Sequence, residues 1–485
     1  MKKIYLADQI QDLDKLAISE QNITSFSLIK RAAKAARDLL FRRWSEVKKV
    51  GIVCGSGNNG ADGFVLGALL ADRGIQVTIH SPSVSLKKDS EAEIASRLCF
   101  ERKIKMTDIN ETLEKSELVI DALLGTGLSR EVEGSYFEVV NKVNESNKPV
   151  IAIDVPSGLC SNTGRKRGAC IKADLTITFI GEKAGLYIGD GPALAGEVIF
   201  DNLKAPEIIY SKIKYAAKVL ELNSQKLKMP VREMNSHKGS HGHALIVGGD
   251  EGMGGAAIMA AEAALYSGAG LVSLLTHPSN VSAALSRKPE IMVKGLTKSL
   301  DLNRLVQVAS CVVLGPGLGT DNWGVELYRK LIKVNKPLVL DADGLNCLAS
   351  EKDTRSNWVL TPHPGEAKRL LGKDCQADRI SSVIELSRLY RATMVLKGPG
   401  TLVSDEEGDV GLCPYGNPGM AVGGMGDILS GVIGALVAQG ITNFESAKLG
   451  VVLHSYAADK IAQEQGKIGL LATDLLLEIR RLLNS

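Results

Sequence analysis

The stretch NPGMAVGGMGD, residues 417–427, leads without a break into ILSGVIGALV, residues 428–437. A glycine-rich approach to an apolar helix places free backbone N–H groups at a helix N-terminus, where the dipole favours an anion. The amides of residues 424–427 would point at a transferring phosphate. Asp427 would stand beside that anion hole, placed to accept a proton from an attacking hydroxyl. The bland alternative, a carboxylate that only caps the helix, accounts poorly for four glycines in eleven residues. No GxxxxGK[ST] occurs in the chain, so this is not a P-loop NTPase.

Working back from Asp427, short aliphatic runs at 244–247, 271–275, 312–314, 338–340, 359–360 and 394–396 read as strands. Loops rich in glycine, proline or acid follow them: GGDEGMGGAA (248–257), GPGLG (315–319), DADGL (341–345), TPHPGE (361–366) and KGPGT (397–401). Strands that are apolar throughout, alternating with longer amphipathic stretches, predict a parallel, doubly wound α/β sheet. Ligands bind such sheets at the carboxyl ends of the strands, so five loops on one edge imply a nucleotide-sized crevice.

The same rhythm fills the first part of the chain, with strands at 50–54, 77–80, 118–121, 150–154 and 175–179. Three strand ends carry chemistry: CGSGNNGADG (54–63), DALLGTG (121–127) and AIDVPSG (152–158). A bare phosphate cradle has no use for Asn58, Asn59 and Asp62. Their oxygens suggest a hard cation or a hydroxylated ligand. A helix-capping Asp is plausible for any one of these ends and much less so for all of them. Between the two series, residues 206–238 are polar, lysine-rich and weakly periodic. A boundary near 218 gives domains 1–218 and 219–485, each long enough for its own core. The halves share no motif, which indicates fusion and not duplication.

The 485 residues carry 58 Lys and Arg against 55 Asp and Glu, a net charge of +3 that gives no reason to expect nucleic acid. Hydrophobic residues make up 45% and charged residues 23%, which excludes disorder and coiled coil. Glycine stands out at 50 residues against 15 prolines, as tight strand-to-helix turns require. No apolar run reaches the roughly 18 residues of a membrane span, and the N-terminus lacks a signal-peptide pattern. The eight cysteines contain no CxxC and read as buried free thiols in a reducing cytoplasm. The histidines of HKGSHGH (237–243) invite a metal reading, but the two glycines argue against the helix that would put His237 and His241 on one face.

GNNGxDG, DALLGTG and AIDVPSG together resemble the epimerase domain of the bifunctional NAD(P)H-hydrate repair enzymes, which restore NADH and NADPH damaged by hydration of the nicotinamide ring. The resemblance implies that Asn59, Asp121 and Ser157 hold K+. It also implies that Asn58, Asn59, Gly60, Ala61, Asp62, Gly125, Thr126, Gly127, Leu128, Ser129, Arg130, Glu131 and Asp154 bind the hydrate. Ala61 departs from the usual glycine. Exchange of R and S at C6 needs an acid or base at the hydroxyl-bearing carbon; Asp154 is the first candidate and Asp62 the second. Lys183 is read either as a surface lysine or as a charge facing the ligand phosphates.

GMGD at a helix start resembles the ribokinase-like superfamily. With GPGLG, DADGLN, TPHPGE, KGPGT and NPGMAVGGMGD it is similar, specifically, to the ADP-dependent NAD(P)H-hydrate dehydratase domain. That implies hydrate contacts from Ala256, Gly317, His363 and Asp427. It also implies adenine-nucleotide contacts from Lys397, Gly398, Pro399, Gly400, Thr401 and Gly426, with Mg2+ and ADP as cofactor and co-substrate. Two α/β domains, Rossmann-like and ribokinase-like, are expected, in a cytoplasmic enzyme without membrane or nucleic-acid partners. The alanine-rich helices could pack internally or across subunits, and a homo-oligomer is expected. An ordinary small-molecule kinase leaves the N-terminal domain without a role. A scaffold of the kind related to RNA-decay factors would have lost the acidic residues kept here.

Overall fold

A computed structural model describes residues 2–82, 86–226, 228–296 and 302–485. The chain divides into two compact units, Lys2–Ala217 and Lys218–Ser485. No helix among the described residues is long and apolar enough to cross a membrane.

The N-terminal unit contains β1 (Lys3–Tyr5), β2 (Lys49–Cys54), β3 (Gln76–His80), β4 (Lys105–Met106), β5 (Leu118–Ala122), β6 (Val150–Ile153), β7 (Leu175–Phe179), β8 (Glu182–Lys183) and β9 (Glu197–Asp201). Its main sheet runs β4-β3-β2-β5-β6-β7-β9 with every pair parallel. Side chains alternate across it as the pleat dictates. Ile52, Ile120 and Ile151 pack with helices Ser25–Arg43 and Asn58–Ala71 on one face. Val53, Val119 and Val150 pack with helix Gly134–Glu145 on the other. Burial on both faces is why these strands lack polar alternation. The reversal of strand order between β2 and β5 opens the crevice such sheets use for ligands. Apart from the main sheet, β1 pairs in parallel with β8, setting Tyr5 against Lys183.

Two boundaries differ from the reading of the sequence. A helix starts at Asn58, inside the strand-end stretch 54–63, so the asparagines form its first turn and not a preceding loop. Strand β6 ends at Ile153 because Asp154 takes a left-handed conformation, φ +67°.

The C-terminal unit contains β11 (His243–Val247), β12 (Leu271–Thr276), β13 (Met292–Gly295), β14 (Cys311–Leu314), β15 (Leu338–Leu340), β16 (Trp358–Leu360), β17 (Thr393–Leu396), β18 (Thr401–Ser404) and β19 (Val410–Cys413). A further strand, β10 (Ala217–Val219), lies at the boundary and pairs with β19 through Lys218 and Val219. The order is β13-β12-β11-β14-β15-β16-β17-β18-β19-β10, parallel except that β18 is antiparallel to both neighbours. Helices Gly254–Tyr266 and Met425–Ala438 cross in close contact over this sheet. A Cβ on Gly431 would lie 2.1 Å from the Ala260 carbonyl oxygen, so the small residues of this crossing serve packing within the chain. All eight cysteines are free and buried, four in each unit.

Candidate active sites

The N-terminal site is built where β2, β5 and β6 end. Gly55 and Gly60 bring the loops together: a Cβ on Gly55 would lie 1.8 Å from the Leu123 carbonyl oxygen, and one on Gly60 1.9 Å from that of Gly55. Any side chain at either place would displace backbone. Above them lies a cavity of about 1040 Å³, lined from the sequence-derived set by Asn58, Asn59, Asp62, Asp154 and the whole run from Gly125 to Glu131. Gly60 and Ala61 do not line it; both are buried beneath, and Ala61 is shielded completely. The methyl of Ala61 therefore belongs to the helix and core and not to the ligand surface.

Lys183 is neither a surface residue nor a free ligand for phosphate. Its side chain is 1% exposed, and Nζ donates to Asp154 Oδ1 at 2.5 Å and to the Phe179 carbonyl at 2.7 Å. Thr126 Oγ1 donates to Asp154 Oδ2 at 2.5 Å. Burial alone would raise the Asp154 carboxyl, but Lys183 and these hydrogen bonds outweigh it and hold the pKa below its ordinary value. Asp62 goes the other way. Burial, with Asp154 and Asp14 adding repulsion, pushes it well above the carboxylate range despite Lys183. Two carboxyls in one cavity with pKa values driven apart are the pattern of an acid paired with a fixed charge.

Asp14 is a further carboxyl lining the cavity, raised to about 6 chiefly by burial. It went unnoticed in the sequence. It stands on helix Ala7–Gln21 beside the buried stripe Ile10, Leu13 and Ala17. An acid at the edge of an apolar stripe was the signal available.

Under the cavity floor Asp121 and Ser157 are completely buried. Ser157 donates to Asp121 through Oγ at 2.6 Å and through its backbone N–H at 2.7 Å. Among the described residues no basic side chain pairs with Asp121, and burial lifts its pKa to about 6. Asn59 donates through Nδ2 to the Leu124 carbonyl at 3.0 Å, while its buried Oδ1 has no partner. An orphaned oxygen near an uncompensated buried carboxylate fits a hard monovalent cation with oxygen ligands.

In the C-terminal unit Gly424, φ +92°, starts helix Met425–Ala438, and no side chain caps its first turn. Those N–H groups are left for a ligand. A Cβ on Gly426 would lie 3.3 Å from Lys397 Nζ and 3.5 Å from Asp341 Oδ2, so the helix start rests on the Lys397–Asp341 pair, itself 2.8 Å apart. Glu366 stands 3.9 Å from the same ammonium. Burial opposes the Lys397 charge, but these two carboxylates more than offset it and raise its pKa. Asp427 is pushed up to about 7 by burial and then by Asp341, against the pull of Lys397. Glu366 also reaches about 7, chiefly through burial. Sequence reasoning gave Asp341 and Glu366 no role, although both lay in quoted strand-end motifs.

His363 is a helix cap in the structure. Its Nδ1 accepts from the Gly365 N–H at 2.9 Å, while its own N–H donates to Glu366 at 2.7 Å. Half of its side chain remains exposed, with Nε2 3.4 Å from Glu366 Oε1. Gly317 approaches Met253 and Ala256 so closely that a Cβ would lie 2.5 Å from the Met253 carbonyl. Beside them is a second cavity of about 890 Å³, lined by Asp250, Met253, His277, Trp323 and Asp343 among others. Asp343 accepts from the Gly319 N–H at 2.9 Å and also raises Asp427. Thr401 Oγ1 closes the 397–401 loop on the Gly398 carbonyl at 3.0 Å. Of the 237–243 histidines, His243 is buried on β11 and bonded to Ser273 Oγ at 2.8 Å, while residues 238–241 form one turn of 3-10 helix. Among the described residues no three of His, Cys, Asp or Glu come together as a metal site.

Comparison with known proteins agrees with this division. Residues 244–481 match the family described as NAD(P)H-hydrate dehydratase, and residues 25–185 that described as YjeF-related protein N-terminus. The bifunctional NAD(P)H-hydrate repair enzyme of Coxiella burnetii is 43% identical over the whole of both chains. That of Escherichia coli is 38% identical over 99% of this chain and 94% of its own. A ribokinase-like protein from Enterococcus faecalis superposes with a TM-score of 0.53 at 27% identity, covering 56% of this chain and 96% of that one. A Streptococcus mutans protein gives 0.51 at 33%, covering 55% and 98%. Relatives that carry both domains end to end leave the small-molecule kinase without support. The chain belongs to the bifunctional NAD(P)H-hydrate repair enzymes.

Proposed function

We propose that the N-terminal unit interconverts R and S hydrates of NADH and NADPH, and that the C-terminal unit uses ADP to dehydrate the S form. The observation that carries the second activity is Asp427, its pKa near neutrality, beside an uncapped glycine-rich helix start. Asp427 takes the proton of the C6 hydroxyl. The hydroxyl oxygen attacks the β-phosphorus of ADP, and AMP leaves. The first-turn N–H groups after Gly424 and the Lys397 ammonium hold the phosphoryl oxygens. The phosphorylated oxygen then departs from C6 as inorganic phosphate, and loss of a C5 proton restores the dihydronicotinamide ring. Lys397–Thr401 and Gly426 hold the nucleotide; Ala256, Gly317 and His363 hold the hydrate.

In the N-terminal unit C6 bears both a hydroxyl and the ring nitrogen, so its C–O bond breaks to an iminium once the hydroxyl is protonated. Asp62, held neutral, supplies that proton, and Asp154, held ionised by Lys183, balances the cation. Water returning to either face yields either epimer. Asn59, Asp121 and Ser157 would hold K+, which would offset the charge of the buried Asp121. In the other unit one or two of the carboxylates around Lys397 would hold Mg2+ together with the nucleotide, and the ion would offset the charge of the phosphates. Buried free thiols suit a cytoplasmic enzyme.

The test mixes R and S NADH hydrate with ADP and Mg2+ and follows the return of dihydronicotinamide absorbance. Complete recovery with AMP release is expected. Recovery of the S form alone would remove the epimerase assignment. No recovery with either ADP or ATP would overturn the dehydratase assignment.

A further inference from the structure

Arg379 is the largest cation buried in the C-terminal unit, 1% exposed, and no carboxylate pairs with it among the described residues. It opens helix Arg379–Tyr390, next to the cap residue Asp378, whose own carboxylate is engaged by Ser381. Its guanidinium lies behind the loop 397–401. Nη2 reaches the carbonyls of Leu396 at 3.3 Å, Lys397 at 3.3 Å and Gly400 at 3.4 Å, and Nη1 donates to Gln376 Oε1 at 2.6 Å. A Cβ on Gly398 would lie 3.1 Å from Nη1, so the loop is wrapped directly on the guanidinium. Its Nε, also buried, has no partner.

A buried cation without a counter-ion is costly. Stability alone does not account for it, because an apolar side chain of similar size would fill the space. Two features give it a use. The planar fork places two nitrogens at once, Nη1 on Gln376 and Nη2 on the loop carbonyls, which the single nitrogen of a lysine ammonium cannot do. The charge lies against a loop that is assigned to the nucleotide, which brings opposite charge with it.

We propose that Arg379 is a positioning residue for ADP: its guanidinium sets the conformation of the 397–401 loop by gathering the carbonyls of residues 396, 397 and 400. It touches no substrate. Its effect falls on nucleotide affinity and not on the phosphoryl-transfer step. The inference rests on the assignment of that loop to the nucleotide, so the experiment separates the two.

Full-length Arg379→Lys, Gln376→Ala and Lys397→Met are compared by ADP titration calorimetry and by dehydratase kinetics, with epimerase activity as the internal control for an intact chain. Arg379→Lys is expected to raise Kd and KM for ADP about tenfold, with kcat, hydrate KM and epimerase activity within about twofold of wild type. Gln376→Ala frees one arm of the fork at a half-buried site, and about threefold is expected. It keeps the test decisive if the core variant does not fold. Weak ADP binding by Lys397→Met with wild-type binding by both other variants would overturn the role of Arg379 and keep the loop. Wild-type ADP binding by all three would remove the loop assignment itself. A fall in kcat without a change in ADP affinity would also refute the proposal.

Discussion

Lys183→Met keeps the apolar stem of the side chain and deletes its ammonium. In the wild type that ammonium is 1% exposed and 2.5 Å from Asp154 Oδ1, whose side chain is 16% exposed. At an effective dielectric constant of about 20, such a pair attracts by roughly 7 kcal/mol gross, most of it offset by the desolvation of both ions. Removing one partner strands the other, at a cost of about 3–5 kcal/mol, a large share of the roughly 5–15 kcal/mol that holds a domain together. Asp154 can limit this loss by taking up a proton, and that reverses the pH dependence. In the wild type its depressed pKa contributes stability that is present above the ordinary carboxylate pKa and is lost as pH falls through the folded value. In the variant, burial is opposed only by the hydrogen bonds from Thr126 and the Phe179 N–H, and the folded pKa rises above the unfolded one. Stability is then greatest at low pH and declines as pH rises toward the folded value, by up to about 1.4 kcal/mol per unit.

Hydrogen exchange of peptides from β6 and β7 in the full-length protein, corrected for intrinsic rates at pH 5, 6 and 7, measures the opening free energy. Lys183→Met should lose protection with rising pH. The double variant Asp154→Asn/Lys183→Met should decline less steeply, keeping only the slope that the other raised carboxyls Asp14, Asp62 and Asp121 supply, since Asn tolerates a left-handed conformation and carries no charge. A single variant whose stability is level or rises across that range would refute the reasoning, because Asp154 would then owe its charge to something other than Lys183.

Dehydratase kcat/KM should rise with pH through about 7, because Asp427 must be ionised to accept a proton; Asp427→Asn should remove the activity and the dependence together while epimerisation persists. Exchange of K+ for Na+ should slow epimerisation several-fold, and Asn59→Leu should abolish the difference, which paired assays in the two salts will show. Gly55→Ala forces a Cβ to 1.8 Å from the Leu123 carbonyl and should destabilise the N-terminal unit by about 3 kcal/mol or more, read as lost epimerase beside intact ADP-dependent dehydration. Ala61→Gly should leave hydrate affinity unchanged and lower stability by about 0.5–1 kcal/mol, since this completely buried position is helical and does not line the cavity.

The strands at 50–54, 118–121, 244–247 and 312–314 were legible because burial on both faces leaves uninterrupted apolar runs. Strands β18 and β19 were not, since four-residue antiparallel strands between polar turns carry too little periodicity. The strand-end acids Asp121 and Asp154 and the helix-start acid Asp427 could be found from glycine context. Their division into ionised and protonated groups could not, because it depends on Lys183 reaching Asp154 from 29 residues away. Asp14 and Arg379 were missed for a related reason. Each is one charge among several in an ordinary helical stretch, and only folding brings it to a cavity or a loop.

The burial of every cysteine has a practical consequence. A thiol reagent can reach sulfur only when structure opens, so its uptake is a clock for that opening. With Cys54, Cys99, Cys160 and Cys170 in one unit and Cys311, Cys347, Cys375 and Cys413 in the other, the clock has two separate dials. Mapping which sulfurs are labelled first, with and without ADP, would show which unit yields first and how much protection the nucleotide confers, without introducing a single probe.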